Sequence, residues 1–473
     1  MSTTPAMVDS TAAPNPPVLP LSLDSLVFAL SQIISLRDYR PPSVTRLSPT
    51  HQKSSTERHL RLLNLLSLLL VTGEKGDVAA VALRLRGDSA ELYYAKNRPC
   101  TKNENDYIKR IFGYVTKCPT SPSEADCVTM SHAILREAIP ACRIKLNSRI
   151  TRLVKRLGEL GDNFGICYSA ADDSTDTVHY IRKNLTSKVF KPEASLSDFL
   201  QAWFKSVQTR AWESLPTGSV YQLIWIAYYV GTSPDIRTIL DNALVIRLLK
   251  LGDYFAVPIV VQAAMSLLTT TKREDLSVQE IVPELQRHVP VPSNFLATVN
   301  SWAIHNSKYP TTAHELTAAF PQHAKLPEVD DPPALRIRTS VHCECTLVMA
   351  LVAAAPSAKH EIGVSKSLCW MCREFILIIQ RMHPLLQIHT SSCHGKLVAG
   401  WRIPEGIPRE VVREIMKQVH DEVDEVLDRA ARNRKSDSIP RATGSEDSEE
   451  KKDPAVWEPM FNDMIEDAGW EME

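Results

Sequence analysis

Net charge is what this 473-residue chain has least of: 54 Lys and Arg stand against 55 Asp and Glu, a formal charge of -1. No global positive field draws polyanions in from a distance, so any basic surface must be local. Long apolar runs are missing as well. Stretches such as Leu65–Val71 fall far short of the roughly 20 residues a bilayer span needs, which excludes a transmembrane helix and predicts no membrane partner. The first twenty residues lack the charged n-region and apolar h-region of a secretory signal and the arginines of a transit peptide; the expectation is an intracellular location, cytoplasmic or nuclear. No repeat period stands out. The ten cysteines do not read as a disulfide framework, because the expected compartment is reducing and a chain with 44% hydrophobic residues can build its core without staples. Cys118, Cys127, Cys142 and Cys167 read as small buried hydrophobes.

Composition then divides the chain. Residues 1–22, rich in Pro, Ala, Ser and Thr, read as a disordered lead, because such a segment buries too little apolar surface to offset its ordering entropy. A short docking helix is expected from Leu21, before a loop marked by Pro41, Pro42 and Pro49. A capped helix begins near Ser54 and closes at Gly73, followed by a β-hairpin that turns at Gly87-Asp88 and ends near Asn97. Residues 23–97 thus form one N-terminal unit. The stretch 98–333 reads as a mostly helical insert, with helices around 104–116, 194–212, 218–230, 236–250, 254–269 and 292–305. Residues 334–408 return to mixed character: RIRTSV, a helix from His342 through Ala355, a strand at Glu361–Val364, a helix from Cys369 to Met382, and strands at LLQIHT and KLVAGWRI. An amphipathic helix is predicted over 409–435. Residues 436–473 read as an acidic disordered tail.

Two short segments carry the chemistry. In Val341-His342-Cys343-Glu344-Cys345 and Leu368-Cys369-Trp370-Met371-Cys372, each motif sits at the start of a helix pattern. Cysteines three apart in a helical first turn share one side, where the helix dipole favours thiolate. Cys369 and Cys372 with His342 would supply three zinc ligands and leave the fourth tetrahedral position open, as catalytic zinc sites do. Glu344, two residues past the histidine, is positioned to carry protons rather than to bind the metal. Three other readings stand beside this one: a redox pair at Cys369 and Cys372, a solvent-exposed Glu344 that merely complements the helix dipole, and a ligand set altered by Cys343 or Cys345.

HCE followed by CxxC, both on helices, resembles the zinc-dependent nucleic acid and nucleotide deaminase superfamily, whose signature pairs H-x-E with P-C-x-x-C. The strings IGVSKSLCWMCREFI and SSCHGKLVAGWRIP look more specifically like the fungal branch often called OTT-type deaminases. The resemblance implies a cytidine-deaminase-like, three-layer α/β/α domain split by the helical insert. Its expected order is a helix, a β-hairpin, the HxE helix, a strand, the CxxC helix and two more strands. It also implies a Zn2+ cofactor that lowers the pKa of a bound water towards about 7, with hydroxide attacking an amino-bearing ring carbon while Glu344 shuttles the proton. The substrate would be a nucleotide or single-stranded nucleic acid, and Asn97, His394, Lys396 and Trp401 would contact it or wall its pocket. Leu368 departs from the superfamily's proline, which shapes the turn and donates nothing to the metal.

One further motif lies outside this site. Arg143–Arg156, RIKLNSRITRLVKR, is a basic helix that reads either as a solvated charged face or as a track for phosphates. The second class of function is a catalytically silent zinc scaffold whose helical insert or acidic tail binds a protein partner.

Overall fold

The computed structural model describes residues 23, 27, 31, 55–73, 76–86, 89–116, 123–161, 164, 196–255, 276–291, 335–390, 393, 395–398 and 400–437. In chain order these form α1 (Ser55–Leu69), β1 (Ala79–Arg86), β2 (Ser89–Lys96), α2 (Lys102–Thr116), α3 (Glu124–Ala141), α4 (Arg143–Leu160), α5 (Leu196–Thr209), α6 (Thr217–Thr232), α7 (Pro234–Ile239) and α8 (Asn242–Gly252). Then follow β3 (Leu276–Glu280), β4 (Arg287–Val291), β5 (Leu335–Thr339), α9 (Cys343–Ala354), β6 (Lys359–Val364), α10 (Trp370–Met382), β7 (Gln387–Thr390) and α11 (Arg409–Asp437). No helix among the described residues is long and apolar enough to cross a membrane.

A five-stranded sheet of order β3-β2-β1-β6-β7 organises these elements. The β1–β2 hairpin is antiparallel, as is β1–β6, whereas β3 and β7 join the two edges in parallel. Because successive strand residues face opposite sides, the hairpin serves two cores. Ala79, Val81, Leu92 and Tyr94 bury into a first core with α1 and the helices α2–α8. Ala80, Ala82, Tyr93 and Ala95 bury into a second with α9, α10 and the start of α11. The result is an α/β fold in three layers. Val27 from the N-terminal segment, where Leu23, Val27 and Ser31 are helical, closes the second core.

α1 lies against β6 so closely that position 363 must be glycine. A Cβ on Gly363 would stand 2.1 Å from the Leu63 carbonyl carbon and 2.3 Å from Leu63 Cβ. Gly363→Ala is therefore expected to force the helix off the sheet and cost about 1–3 kcal/mol or more, read as a lower urea midpoint at unchanged slope.

Several expectations change in three dimensions. The helix expected over 236–250 is two, because Asp241 leaves helical geometry and its side chain accepts the Leu244 N–H as the N-cap of α8. KLVAGWRI is not a strand among the described residues. Gly400 turns at φ 89 with its backbone packed against the Arg338 carbonyl, and only a single bridge, Ser340 to Trp401, remains. Among the described residues one strand, β7, therefore follows the CxxC helix where the resemblance implied two. The 98–333 stretch also supplies β3, which extends the sheet beside β2, and β4, which pairs with β5. Tyr254 and Phe255 form a turn where the helix over 254–269 was expected to begin; its remainder, the expected helix at 292–305, residues 1–22, the Pro41–Pro49 loop, Cys118, Cys167, the Cys127 side chain and the tail beyond Asp437 lie outside the described residues.

Candidate functional site

The site forms where the two motif helices begin. His342 is extended (φ -70, ψ 146) and caps α9 with backbone alone; its side chain makes no capping hydrogen bond. The first free N–H of α9, at Cys343, is instead taken by Asn97 Oδ1 at 2.9 Å. Asn97 directly follows β2, and its own N–H donates to the Val78 carbonyl. The hairpin end and the HxE helix are thus joined one residue from His342. Cys369 is the N-cap of α10, and its sulfur accepts the Cys372 N–H at 3.4 Å.

These caps bring three ligand atoms together. His342 Nδ1 lies 3.3 Å from Cys372 Sγ and 3.6 Å from Cys369 Sγ, and the two sulfurs are 3.4 Å apart. The three atoms form a group that could hold a metal ion. A tetrahedral zinc with Zn–S near 2.3 Å and Zn–N near 2.0 Å places its ligand atoms about 3.5–3.8 Å from one another. The observed spacing fits with small adjustments, and the nitrogen–sulfur donor set suits zinc. The four cysteines of the neighbourhood, Cys343, Cys345, Cys369 and Cys372, are free rather than paired as disulfides.

Burial governs the ionisation of the ligand group. Burial pushes the Cys369 and Cys372 thiols well above the ordinary value, outweighing the help expected from the helix N-terminus. Thiolates at this depth need a compensating positive charge. For His342, burial works against the protonated ring, but the Cys369 sulfur and the Glu344 carboxylate prevail and move its pKa upward.

Glu344 is 3% exposed, so it is no solvated dipole partner. Its Oε2 accepts from Cys343 Sγ at 3.5 Å and stands 3.9 Å from Cys372 Sγ. It borders the ligand group without being part of it. The extra cysteines flank the site: Cys343 touches Glu344, and Cys345 Sγ is 3.7 Å from Cys372 Sγ.

The remaining predicted residues fall differently. Trp401 is 1% exposed in the second core, with its indole beside the Cys345 thiol. Lys396 is exposed, and its carbonyl accepts the Trp370 N–H at the start of the CxxC helix. His394 lies outside the described residues. Leu368, in the place of the superfamily's proline, is buried and bridges to Cys393. Sequence reasoning missed Lys366, whose charge acts on His342. Its place three residues before Cys369 was the available signal.

A three-layer α/β fold with an N/S group that could hold a metal and an adjoining buried carboxylate resembles a deaminase-type site. Residues 341–405 match the family model of the OTT_1508-like deaminases, which bears out the resemblance to a deaminase family and spans both motifs. Neither the curated proteins nor the solved structures yield a match.

Proposed function

We propose that this protein is a zinc-dependent hydrolase that removes an amino group from a nucleobase in a nucleotide or nucleic acid. The observation that carries the reading is Glu344: a buried carboxylate beside, but not within, the His342–Cys369–Cys372 group. Those three side chains would hold the ion. Bound zinc would supply Lewis acidity at its open fourth position, making water there a nucleophile near neutral pH.

The chain's own residues do the rest. Glu344 Oε2 takes the proton that the attacking water gives up and returns it to the base, so that nitrogen departs as ammonia. Its carboxylate is held by the Cys343 thiol. Asn97 fixes the entry of α9 and with it the angle between His342 and Glu344. The buried wall of Cys345, Trp370 and Trp401 behind the ligands limits water to the open side.

The test starts with metal content. Elemental analysis should find about one zinc per wild-type chain and nearly none in Cys369→Ala, since three-ligand sites of this kind do not survive loss of a thiolate. Zinc-loaded wild type should then release ammonia from at least one nucleoside, nucleotide, DNA or RNA. A folded wild-type protein that binds no zinc would overturn the reading.

A further inference from the structure

The basic helix singled out in the sequence lies at the same end of the sheet as the metal-ligand group. Ser365 N–H donates to the Ala79 carbonyl at 2.9 Å, and its hydroxyl accepts the Ala79 N–H, so Lys366 is fixed where β6 meets the start of β1. Lys366 thus stands three residues before Cys369, and the start of α4 is held against the end of α1, where Cys142 Sγ donates to the Leu69 carbonyl at 3.3 Å, with the Lys366 charge acting on Lys145 in the first turn of α4. Lys145, Arg149 and Arg152 follow at i, i+4 and i+7, along one face of α4. α8 packs on α4, and Arg149 donates to the Lys250 carbonyl, which brings Arg247 and Lys250 into the same row.

Most of these cations have no partner. Among the described residues Lys145, Arg152, Arg247, Lys250 and Lys366 make no ion pair. The two carboxylates that act on the row are already engaged: Asp253 faces Arg149 at 3.7 Å, and Asp77 pairs with Lys96 at 2.8 Å. Burial, then the neighbouring charges of Lys366, Arg149 and Arg152, bring Lys145 down to about 8, and Lys250 is lowered by burial and by Arg247, Arg149 and Arg152. Like charges held this close in a chain of net charge -1 are relieved by an anion with several regularly spaced negative groups.

We infer that Lys366, Lys145, Arg152, Arg247 and Lys250 form a track for the phosphates of a single-stranded nucleic acid, leading one of its bases to the His342–Glu344 site. The assignment rests on the deaminase reading for the direction of the track. A free nucleoside would leave the row unused, whereas a strand would fill it and present an unstacked base, as chemistry on a base requires. The helices α4 and α8, rather than the deaminase-like segment, would then set the affinity.

The experiment measures binding alone, by anisotropy of labelled single-stranded DNA and, separately, RNA of about 20 nucleotides at rising salt. Wild type should bind at least one of the two probes, with an affinity that falls steeply between about 50 and 200 mM salt. Lys145→Gln/Arg152→Gln/Lys250→Gln should flatten the slope of log K against log salt by about 2, since each phosphate contact on a single strand contributes about 0.7. Should the triple variant fail to fold, Arg152→Gln at its exposed position carries the test with about a third of that change. Glu344→Gln should bind as wild type does, so a failure of catalysis leaves this result intact. Absence of salt-dependent binding, an unchanged slope in the folded variants, or equal binding of a polyglutamate of matching charge would overturn the track.

Discussion

Glu344→Gln is expected to retain zinc and fold while losing about 10²–10⁴ of kcat, the usual range for a proton carrier in the transition state. Glutamine keeps the shape and an oxygen for the Cys343 thiol, which touches Glu344 at 3.5 Å, but it neither takes nor returns a proton. A variant that keeps wild-type kcat with zinc bound would remove Glu344 from the chemistry; a variant that loses zinc would make the carboxylate a ligand and close the open position. Either result is read from the same preparation, by ammonia release and elemental analysis.

The second large effect is structural. Lys96, the last residue of β2, is fully buried, with its ammonium 2.8 Å from Asp77 and 2.7 Å from Glu104, and Arg98 closes the group on Glu104 at 2.6 Å. Lys96→Met removes the cation and leaves two carboxylates at low exposure without it. Breaking a buried pair from one side costs about 3–5 kcal/mol, a large share of ordinary stability, so the variant should unfold at much lower urea or fail to accumulate. The same network sets the acid limit. Burial alone would raise Glu104, but hydrogen bonds from Arg98, Lys96, Thr72 and the Thr101 backbone together hold it far below its ordinary 4.5. A carboxylate depressed on folding contributes stability that is full above its unfolded pKa and lost as pH falls through the folded one. Unfolding monitored by circular dichroism should therefore show stability declining as pH drops below about 4.5, and Glu104→Gln should flatten that decline.

The last two positions of the hairpin show how closely fold and site are joined. Lys96 points to the core shared with the helices α2–α8 and holds Glu104 of α2. Asn97, one residue on, caps the HxE helix on the other face. The alternation of side chains along a strand does this with no further device. It also explains why Asn97 could be singled out by position alone, while its hydrogen bond to the Cys343 backbone could not: that contact spans most of the chain.

Elements whose signal is local were legible. The hairpin was read from apolar runs around Gly87-Asp88, and the motif helices from spacing that metal ligation itself requires, since two thiolates within one helical turn need neither a partner strand nor a distant residue to be recognised. Elements defined by distant partners were not. β3 is five residues with little apolar character and becomes a strand only because β2 offers it an edge. KLVAGWRI carries a strand-like pattern, yet Gly400 turns the backbone, and Trp401 is drawn into the core beside Cys345.

By itself, then, the amino-acid order determined the α/β class, the two motifs that could supply metal ligands and the deaminase resemblance, because ligand chemistry and helix starts are written over a few adjacent residues. Tertiary structure alone decided that Glu344 is buried beside the ligands rather than solvated. It alone placed Asn97 against the HxE helix and fixed Lys366 where β6 meets the start of β1. Those outcomes depend on which surfaces meet across the sheet, and burial and charge proximity are properties of that meeting rather than of any one segment.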